Sequence, residues 1–302
     1  MSASDWAILG VLAVLWGCAF FFLGLALREL PPFTIVLVRV GGAAVILLAY
    51  AALARVPLPG KRLWPSFVVL ALLNNVVPFV LYGYGQQRIA SGLASILNAT
   101  TPLWGVIVAH IFTTDERATP GKVAGVLLGL AGVATMVGGD ALAGLGGNVV
   151  GQGACLIATL CYALAGVYAR RYQAQGVGPL SVATGQLIAA TIVMIPLAVI
   201  VDMPWTLPMP GATTWWALAG MVVLCTVIAY VLYFRLLESA GASNSLLVTF
   251  LIPVTAILLG TYVLGEALRP KHFAGMALIA LGLAAIDGRP ISTLRGRLRR
   301  SI

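Results

Sequence analysis

Residues 91–132 read SGLASILNATTPLWGVIVAHIFTTDERATPGKVAGVLLGLAG, and they decide the fold because the chain repeats their pattern. The second copy, at 242–282, reads ASNSLLVTFLIPVTAILLGTYVLGEALRPKHFAGMALIALG. The matched pairs are Pro102 with Pro253, Glu116 with Glu266, Pro120 with Pro270, Gly125 with Gly275 and Gly132 with Gly282. A gap of a single residue between the proline and the glutamate is enough to align the two copies. The sequence therefore contains an internal duplication.

Composition indicates where the two copies reside. Of the 302 residues, 61% are hydrophobic and 9% are charged. Soluble domains carry about 25% charged residues, and a soluble protein of this composition would expose apolar surface everywhere. We therefore predict an all-α integral membrane protein. Since a spanning helix needs about 20 apolar residues, roughly ten spans fit, with short loops and no room for a soluble domain.

Proline, glycine and charged clusters divide the chain into ten predicted spans. Spans 1 to 10 cover residues 6–27, 33–54, 64–85, 91–113, 120–138, 149–168, 179–201, 213–235, 242–264 and 270–286. A basic tail, 288–302, follows. Asp5 and the lack of a basic residue before the first apolar run argue against a cleaved signal peptide, so span 1 is expected to remain. The four cysteines sit inside apolar runs and are expected to act as small buried hydrophobes.

Lysine and arginine are distributed unevenly between the two sides that these spans define. One side holds Arg55, Lys61, Arg62, Arg117, Lys122, Arg170, Arg171, Arg235 and the five arginines from Arg289 onward, whereas the other holds Arg28, Arg88, Arg269 and Lys271. Cytoplasmic loops carry the excess of positive residues. Both termini are therefore predicted to be cytoplasmic. A basic tail beside a membrane meets anionic lipid, so nucleic-acid binding is not expected.

The duplication extends over the whole chain. The same alignment pairs Tyr82 with Tyr233, Phe79 with Tyr230, Asn75 with Thr226, Trp64 with Trp215, Trp16 with Tyr162 and Arg39 with Gln186. Residues 1–143 thus form one predicted five-helix repeat, and 148–287 form the second. Because five is odd, the second repeat enters the bilayer from the opposite side. Inverted repeats around a site near the midplane are typical of transporters. The alternative is a duplicated scaffold without transport.

The pattern resembles a known superfamily. TrpGly at 16–17, Pro102, Glu116, Pro253 and Glu266 carry the resemblance to the EamA-type drug/metabolite transporters, and it covers nearly the whole chain. Within this superfamily, the sequence as a whole is most similar to the YddG-like aromatic amino-acid exporters of bacterial inner membranes. The resemblance implies that helices 1–4 and 6–9 surround a central cavity, with helices 5 and 10 outside it.

Spans 3 and 8 each present a polar and aromatic face. Asn75, Phe79 and Tyr82 share one side of span 3, and Thr226, Tyr230 and Tyr233 share the matching side of span 8. Polar groups facing lipid would be costly, so these faces are predicted to point inward. An aromatic-lined cavity suits a flat apolar solute. The alternative is that the tyrosines are interface anchors or core filler.

Further candidates lie in spans 1, 3, 4, 6 and 7. A buried amide such as Asn98 needs partners or a ligand, and tryptophans deep in a span should turn the indole N–H inward. The full set of candidate substrate-binding residues is Trp16, Asn74, Asn75, Phe79, Tyr82, Asn98, Trp104, Tyr162, Gln186, Tyr230 and Tyr233. Pro102 and Pro253 each remove a backbone hydrogen bond, which predicts either a hinge or a static kink.

Arg39 is the one arginine well inside a predicted span. A charge there is either paired or turned toward a watery cavity. It could bind a substrate carboxylate, or it could bond backbone carbonyls as a structural clamp. We favour the clamp because Arg39 lies only a turn or two from the predicted outer surface.

No aspartate or glutamate lies deep in a predicted span. Proton-coupled antiporters keep a carboxylate in the membrane, so either coupling uses an unusual group or the protein is a facilitator, and we favour the facilitator. The resemblance implies that it exports aromatic and other neutral amino acids and similar metabolites. Glu116 and Glu266 precede prolines and are interpreted as helix caps. No enzyme motif, cofactor site or metal site is predicted, and a channel would need charged rings. The main alternative is a multidrug or cation exporter, which would favour an acidic residue in the cavity. Oligomeric state is not predicted.

Overall fold

The computed structural model describes residues 1–58, 60–89, 91–115, 117–137, 148–254 and 270–287, and their regular structure is helical. The helices are α1 (Ala3–Ala26), α2 (Pro32–Leu53), α3 (Lys61–Gln86), α4 (Ser91–Asn98), α5 (Thr101–Phe112), α6 (Pro120–Val137), α7 (Val149–Ala174), α8 (Pro179–Val201), α9 (Ala212–Ala240), α10 (Ala242–Ser245) and α11 (Pro270–Asp287). Residues 248–254 are helical too, and Pro204–Thr206 form a 3-10 turn. Glu116, Glu266, the rest of span 9 and the basic tail lie outside the described residues.

The predicted all-helical membrane class is confirmed for the described part of the chain. Six of its helices are long and apolar enough to cross a membrane: α1, α2, α3, α7, α8 and α9. Shorter apolar helices lie at Thr101–Phe112, Pro120–Thr135 and Phe273–Ile286. Ten spans and an inverted topology remain predictions.

Helix packing follows the duplication. Helix α3 packs against α7, and its repeat equivalent α9 packs against α1, which is the repeat equivalent of α7. Helix α2 packs against its own repeat equivalent α8, and α6 packs against α11. These contacts between the halves therefore match one another when the two repeats exchange roles. The main apolar core is likewise shared between both halves.

Helices α6 and α11 cross through glycines that are matched in the repeat. A Cβ atom on Gly125 would lie 2.6 Å from the Gly282 carbonyl oxygen, and one on Gly132 would lie 2.7 Å from the Gly275 carbonyl oxygen. The first glycine of one helix thus meets the second glycine of the other, so the two helices run antiparallel. Small residues permit such close backbone approach between membrane helices.

Helices α3 and α9 each contain a π-helical segment at matching positions, Leu72–Val76 and Val223–Ile228. In α3 the cause is Pro78, which has no N–H to donate to the Asn74 carbonyl four residues earlier. In α9 the Thr226 hydroxyl donates to the Met221 carbonyl at 2.8 Å, so a side chain takes part in the hydrogen bonding of the helix backbone. Both segments therefore leave polar backbone groups available in the interior.

Span 4 was predicted as one helix over 91–113, and this is wrong, because the structure breaks it into α4 and α5 at residues 99 and 100. Pro102 cannot donate to the Asn98 carbonyl. The Thr101 hydroxyl donates to that carbonyl instead at 2.6 Å, while the Thr100 hydroxyl donates to Leu97 at 2.7 Å. Pro102 therefore lies in the first turn of a second helix and does not kink a continuous one.

Candidate functional site

A cavity of about 90 Å³ lies between the two halves of the chain. The described residues that line it come from α1, α2, α3, α7, α9 and the broken segments around residues 98–101 and 246–252. The lining includes the predicted candidates Trp16, Arg39, Asn74, Phe79, Tyr82, Asn98, Tyr162, Tyr230 and Tyr233. The structure thus brings into one place residues that lie more than two hundred positions apart in the sequence.

Aromatic rings form much of the cavity wall. Tyr82 stacks on Tyr162 with ring centroids 6.1 Å apart and meets Phe20 edge-on at 5.5 Å. Trp16 lies 5.4 Å from Tyr233. The Trp16–Tyr233 pair joins α1 to α9, and the Tyr82–Tyr162 pair joins α3 to α7. Rings of the first repeat therefore pack against rings of the second. Offset and edge contacts of this kind suit a flat solute.

Tyr82 and Asn98 form a polar pair at the point where span 4 breaks. The Tyr82 hydroxyl donates to the Asn98 side-chain oxygen at 2.9 Å, and both residues are buried. The break places the Asn98 amide and the Thr101 hydroxyl at the cavity wall. A discontinuous helix beside the ligand is a recurring transporter feature.

Arg39 is 7% exposed and lies at the cavity wall. Its Nε donates to the Thr226 hydroxyl at 2.9 Å, and Nη2 donates to the Cys225 carbonyl at 3.4 Å. The guanidinium carbon sits 3.8 Å above the centre of the Phe79 ring. The π-helical segment of α9 therefore holds the arginine, and the indole N–H of Trp16 also donates to the Cys225 carbonyl at 3.2 Å.

A second polar network joins α3 to α8 and α9. The Asn75 amide donates to the Tyr230 hydroxyl at 2.7 Å, and that hydroxyl donates to the Asn74 carbonyl at 3.4 Å. The Asn74 amide donates to the Gln186 side-chain oxygen at 3.1 Å. Asn74 and Tyr230 line the cavity, whereas Asn75 and Gln186 stand behind them and support them.

Some candidates lie away from the lining. Trp104 packs on Val108, Ala163 and Leu246 in a separate apolar cluster. Pro102 is buried at the start of α5, and Pro253 is buried within the helical residues 248–254. The structure therefore shows a helix start at Pro102 and does not place a break at Pro253.

Sequence analysis missed several lining residues. They are Ala19, Phe20, Leu23, Val36, Thr101, Met221, Leu246, Val248, Thr249 and Ile252. Phe20 follows Trp16 by four residues, so the helical period could have placed it on the same face. The small and aliphatic members carry no such signal, because similar residues face lipid elsewhere in the chain.

Carboxylates hold the loops together at one end of the bundle. Asp202 accepts hydrogen bonds from the Thr34 N–H at 2.6 Å and the Thr34 hydroxyl at 3.0 Å. Glu29 accepts from the Gly211 N–H at 2.8 Å. Bonds from the Thr214 hydroxyl and from Gly211 hold the pKa of Glu29 below its usual value. Both contacts connect the first half of the chain to the second.

Contacts between the halves also close the opposite end of the bundle. The Ser239 hydroxyl donates to Asp5 at 2.7 Å, and Arg170 forms an ion pair with Asp115. The Ser181 hydroxyl donates to the Pro57 carbonyl at 2.9 Å. Polar contacts therefore join the two halves at both ends of the bundle. Within the described residues no three metal-binding side chains converge.

Comparison with a family model gives two matches in this chain. The model described as the EamA-like transporter family matches residues 5–138 and again 150–286. The two matches together cover most of the chain, and their separation agrees with the duplication seen in the sequence.

Relatives of similar length occur in bacteria and archaea. The chain is 25% identical to the uncharacterized inner membrane transporter YedA of Escherichia coli, covering 91% of this chain and 88% of YedA. It is 25% identical to an uncharacterized transporter of Archaeoglobus fulgidus, with coverage of 92% and 96%. Protein PecM of Dickeya dadantii is 25% identical, with coverage of 94% and 92%. The names of the first two concern transport, and none of the three names a substrate.

A solved crystal structure shares the fold. It superposes with a TM-score of 0.73, covers 95% of this chain and 98% of its own, and is 19% identical. At that identity the likeness concerns the fold alone.

Proposed function

Because the chain belongs to the EamA-like transporter family, we propose that this membrane transporter exports aromatic and other neutral amino acids and similar small metabolites. Transport proceeds by alternating access: the two halves rock about the cavity and expose it to one side of the membrane at a time. The protein acts as a transporter rather than an enzyme.

The observation that carries this proposal is the aromatic cavity itself. The cavity between the two repeats is lined by Trp16, Tyr82, Tyr162, Tyr230 and Tyr233. Ring faces and edges bind aromatic side chains, while the hydroxyl and amide groups bind polar ends. The YddG-like resemblance of the sequence points to the same class of solute.

Facilitated export follows from the charges around the cavity. Among the described residues that line it there is no aspartate, glutamate or histidine. A proton-coupled carrier needs a group that titrates within the membrane. The substrate therefore moves down its own gradient in this proposal.

The proposed topology has ten spans in two inverted repeats, with both termini in the cytoplasm of a bacterial inner membrane. The antiparallel glycine crossing of α6 and α11 and the exchanged contacts of α1, α3, α7 and α9 support the inversion. Fusions of a cytoplasm-dependent fluorescent reporter to each terminus test the orientation. A dark reporter at either terminus of an expressed fusion contradicts it.

Purified protein in proteoliposomes tests the proposed function. Vesicles loaded with L-phenylalanine, L-tryptophan or L-methionine should release the amino acid down its gradient, with the same initial rate with and without an imposed pH gradient. The control is vesicles that carry the same amino acid and contain no protein. Release that requires a pH gradient contradicts facilitation, and no release of any amino acid contradicts the substrate class.

Export of cationic drugs on the same fold is disfavoured by the charge at the cavity. The described lining contains the cation Arg39 and no carboxylate. A cationic solute would be repelled by the arginine and would find no opposite charge. Release of a viologen in the same vesicles, at rates above those of the amino acids, would favour that function.

A further inference from the structure

Arg39 is a buried cation whose charge has no ion-pair partner in the described part of the chain. It is 7% exposed, and none of the described aspartates or glutamates forms an ion pair with it. Burying an unpaired charge costs several kcal/mol in general, so such groups mark sites where an ion binds. The charge is therefore open to a ligand.

The geometry of Arg39 leaves part of its guanidinium unused. Hydrogen bonds from Nε to Thr226 and from Nη2 to the Cys225 carbonyl fix one edge, and Phe79 lies under the plane. Nη1 makes no hydrogen bond to the described protein atoms, although the residue lines the cavity. The clamp predicted from the sequence is thus present, and it orients the group without consuming all of its donors.

A structural role alone does not require the charge. Two acceptors, a hydroxyl and a carbonyl, could be bridged by a neutral amide. Arginine differs from an amide because its planar fork binds a carboxylate through two parallel hydrogen bonds. Holding that fork rigid beforehand reduces the entropy lost when a ligand binds.

The wall around Arg39 complements an anion attached to a flat group. Phe79 covers one side of the guanidinium, and the Tyr82 and Tyr162 rings line the same cavity. No described carboxylate in the lining offers an opposite charge for an ammonium group. Within the described lining, the charge available to a solute is therefore the positive charge of Arg39.

We propose that the cavity selects solutes with a carboxylate joined to a flat apolar group, that Arg39 binds the carboxylate, and that an ammonium group is not required. This inference rests on the proposed transport of amino acids and names the part of the amino acid that is recognised. It extends the substrate class to aromatic carboxylates that lack an amine.

Three solutes of one shape test the proposal: 3-phenylpropionate, which has only the carboxylate; 2-phenylethylamine, which has only the amine; and L-phenylalanine, which has both. Binding to the purified protein is measured by the quenching of intrinsic tryptophan fluorescence, and transport is measured in proteoliposomes. We expect 3-phenylpropionate to bind within about tenfold of L-phenylalanine and 2-phenylethylamine to bind at least tenfold more weakly than either.

Variants of Arg39 form the second part of the experiment. In Arg39→Gln the affinity for 3-phenylpropionate should fall about 10- to 100-fold, and Arg39→Lys should restore only part of it because lysine lacks the fork. The Arg28→Gln variant removes a cation that does not line the cavity and should bind like the parent protein. If Arg39→Gln does not fold, the comparison of the three solutes on the unmodified protein still decides.

The outcomes separate the two proposals. Binding of 2-phenylethylamine as tight as that of 3-phenylpropionate overturns the carboxylate inference, even if amino acids are transported. Transport of 3-phenylpropionate without transport of any amino acid supports the inference and overturns the proposed function. A folded Arg39→Gln variant with unchanged 3-phenylpropionate affinity overturns the role of Arg39.

Discussion

The Cβ position of Gly125 lies 2.6 Å from the carbonyl oxygen of Gly282, and the Cβ position of Gly282 lies 2.6 Å from the carbonyl oxygen of Gly125. The contact is reciprocal, which requires the two backbones to be packed face to face. Any side chain at either position would displace one helix from the other.

We therefore expect Gly125→Ala and Gly282→Ala to destabilise the protein. A backbone oxygen cannot move aside as a side chain can, so the cost of overpacking should be about 1–3 kcal/mol for each variant. The thermal unfolding midpoint of detergent-purified protein measures it. The control is Gly121→Ala on the same helix, where the nearest atom to the new Cβ is at 3.4 Å. Equal midpoints for all three variants would contradict the crossing.

Tyr82→Ala should weaken substrate binding. The ring contacts both Tyr162 and Phe20, and such aromatic pairs contribute about 0.5–1.5 kcal/mol beyond their buried area. We expect KM for L-phenylalanine efflux to rise about tenfold, whereas Tyr82→Phe should keep most of the affinity. The matched control is Tyr50→Ala, since Tyr50 is 56% exposed on α2. Unchanged KM in a well-expressed Tyr82→Ala variant would contradict this assignment.

Thr101→Val should destabilise the junction of α4 and α5. Valine has a similar shape but cannot donate to the Asn98 carbonyl, which Pro102 already leaves without its helical donor. An unsatisfied buried carbonyl costs about 1–3 kcal/mol. Thr135→Val is the control, because the Thr135 hydroxyl bonds to the Ala131 carbonyl within an uninterrupted helix. Equal losses of thermal stability in the two variants would show that the hydroxyl of Thr101 has no special role.

Tyr230→Phe should destabilise the protein, and its destabilising effect should be smaller when Asn75→Leu is already present. The single variant removes the acceptor of the Asn75 amide, at a cost of about 1–3 kcal/mol, because that amide is fully buried. Replacing both groups by apolar ones removes the unsatisfied donor. A double-mutant cycle on thermal stability measures the coupling, which should be about 0.5–3 kcal/mol. Strict additivity would contradict a direct bond.

Glu29→Gln should remove a pH-dependent contribution to stability. The folded pKa of Glu29 is lowered, chiefly by the Thr214 hydroxyl and then by Gly211. Its contribution is therefore present above the unfolded pKa of about 4.3 and is lost as the pH falls through the folded value. The midpoint difference between parent and variant should be larger at pH 7 than at pH 3. A difference that grows on acidification would contradict this sign.

The helical class and the polar faces of α3 and α9 could be predicted because both depend on local information. Composition sets the solvent that each segment requires, and the helical period sets which residues share a face. Phe79, Tyr82, Tyr230 and Tyr233 therefore reach the cavity as the pattern indicates, whereas Asn75 and Thr226, which were predicted on the same two faces, do not line it. Trp104 did not, since its burial depends on which neighbouring helix it meets.

The break at residues 99 and 100 marks the limit of such inference. Pro102 indicated a lost hydrogen bond, but a kink, a hinge and a new helix all satisfy that condition. The outcome depends on whether other groups satisfy the freed carbonyls. Here the Thr100 and Thr101 hydroxyls do so, and the chain can start a second helix beside the cavity.

The sequence by itself determined the membrane environment, the duplication and the candidate faces, because hydrophobicity, repeat spacing and helical period are properties of neighbouring residues. Only the tertiary structure decided the partners of Arg39. The repeat aligned Arg39 with Gln186, yet its donors meet Thr226 and Cys225 of the π-helical segment in α9. Such contacts depend on the axial register between helices far apart in the chain, and that register is set by the packing of the whole bundle.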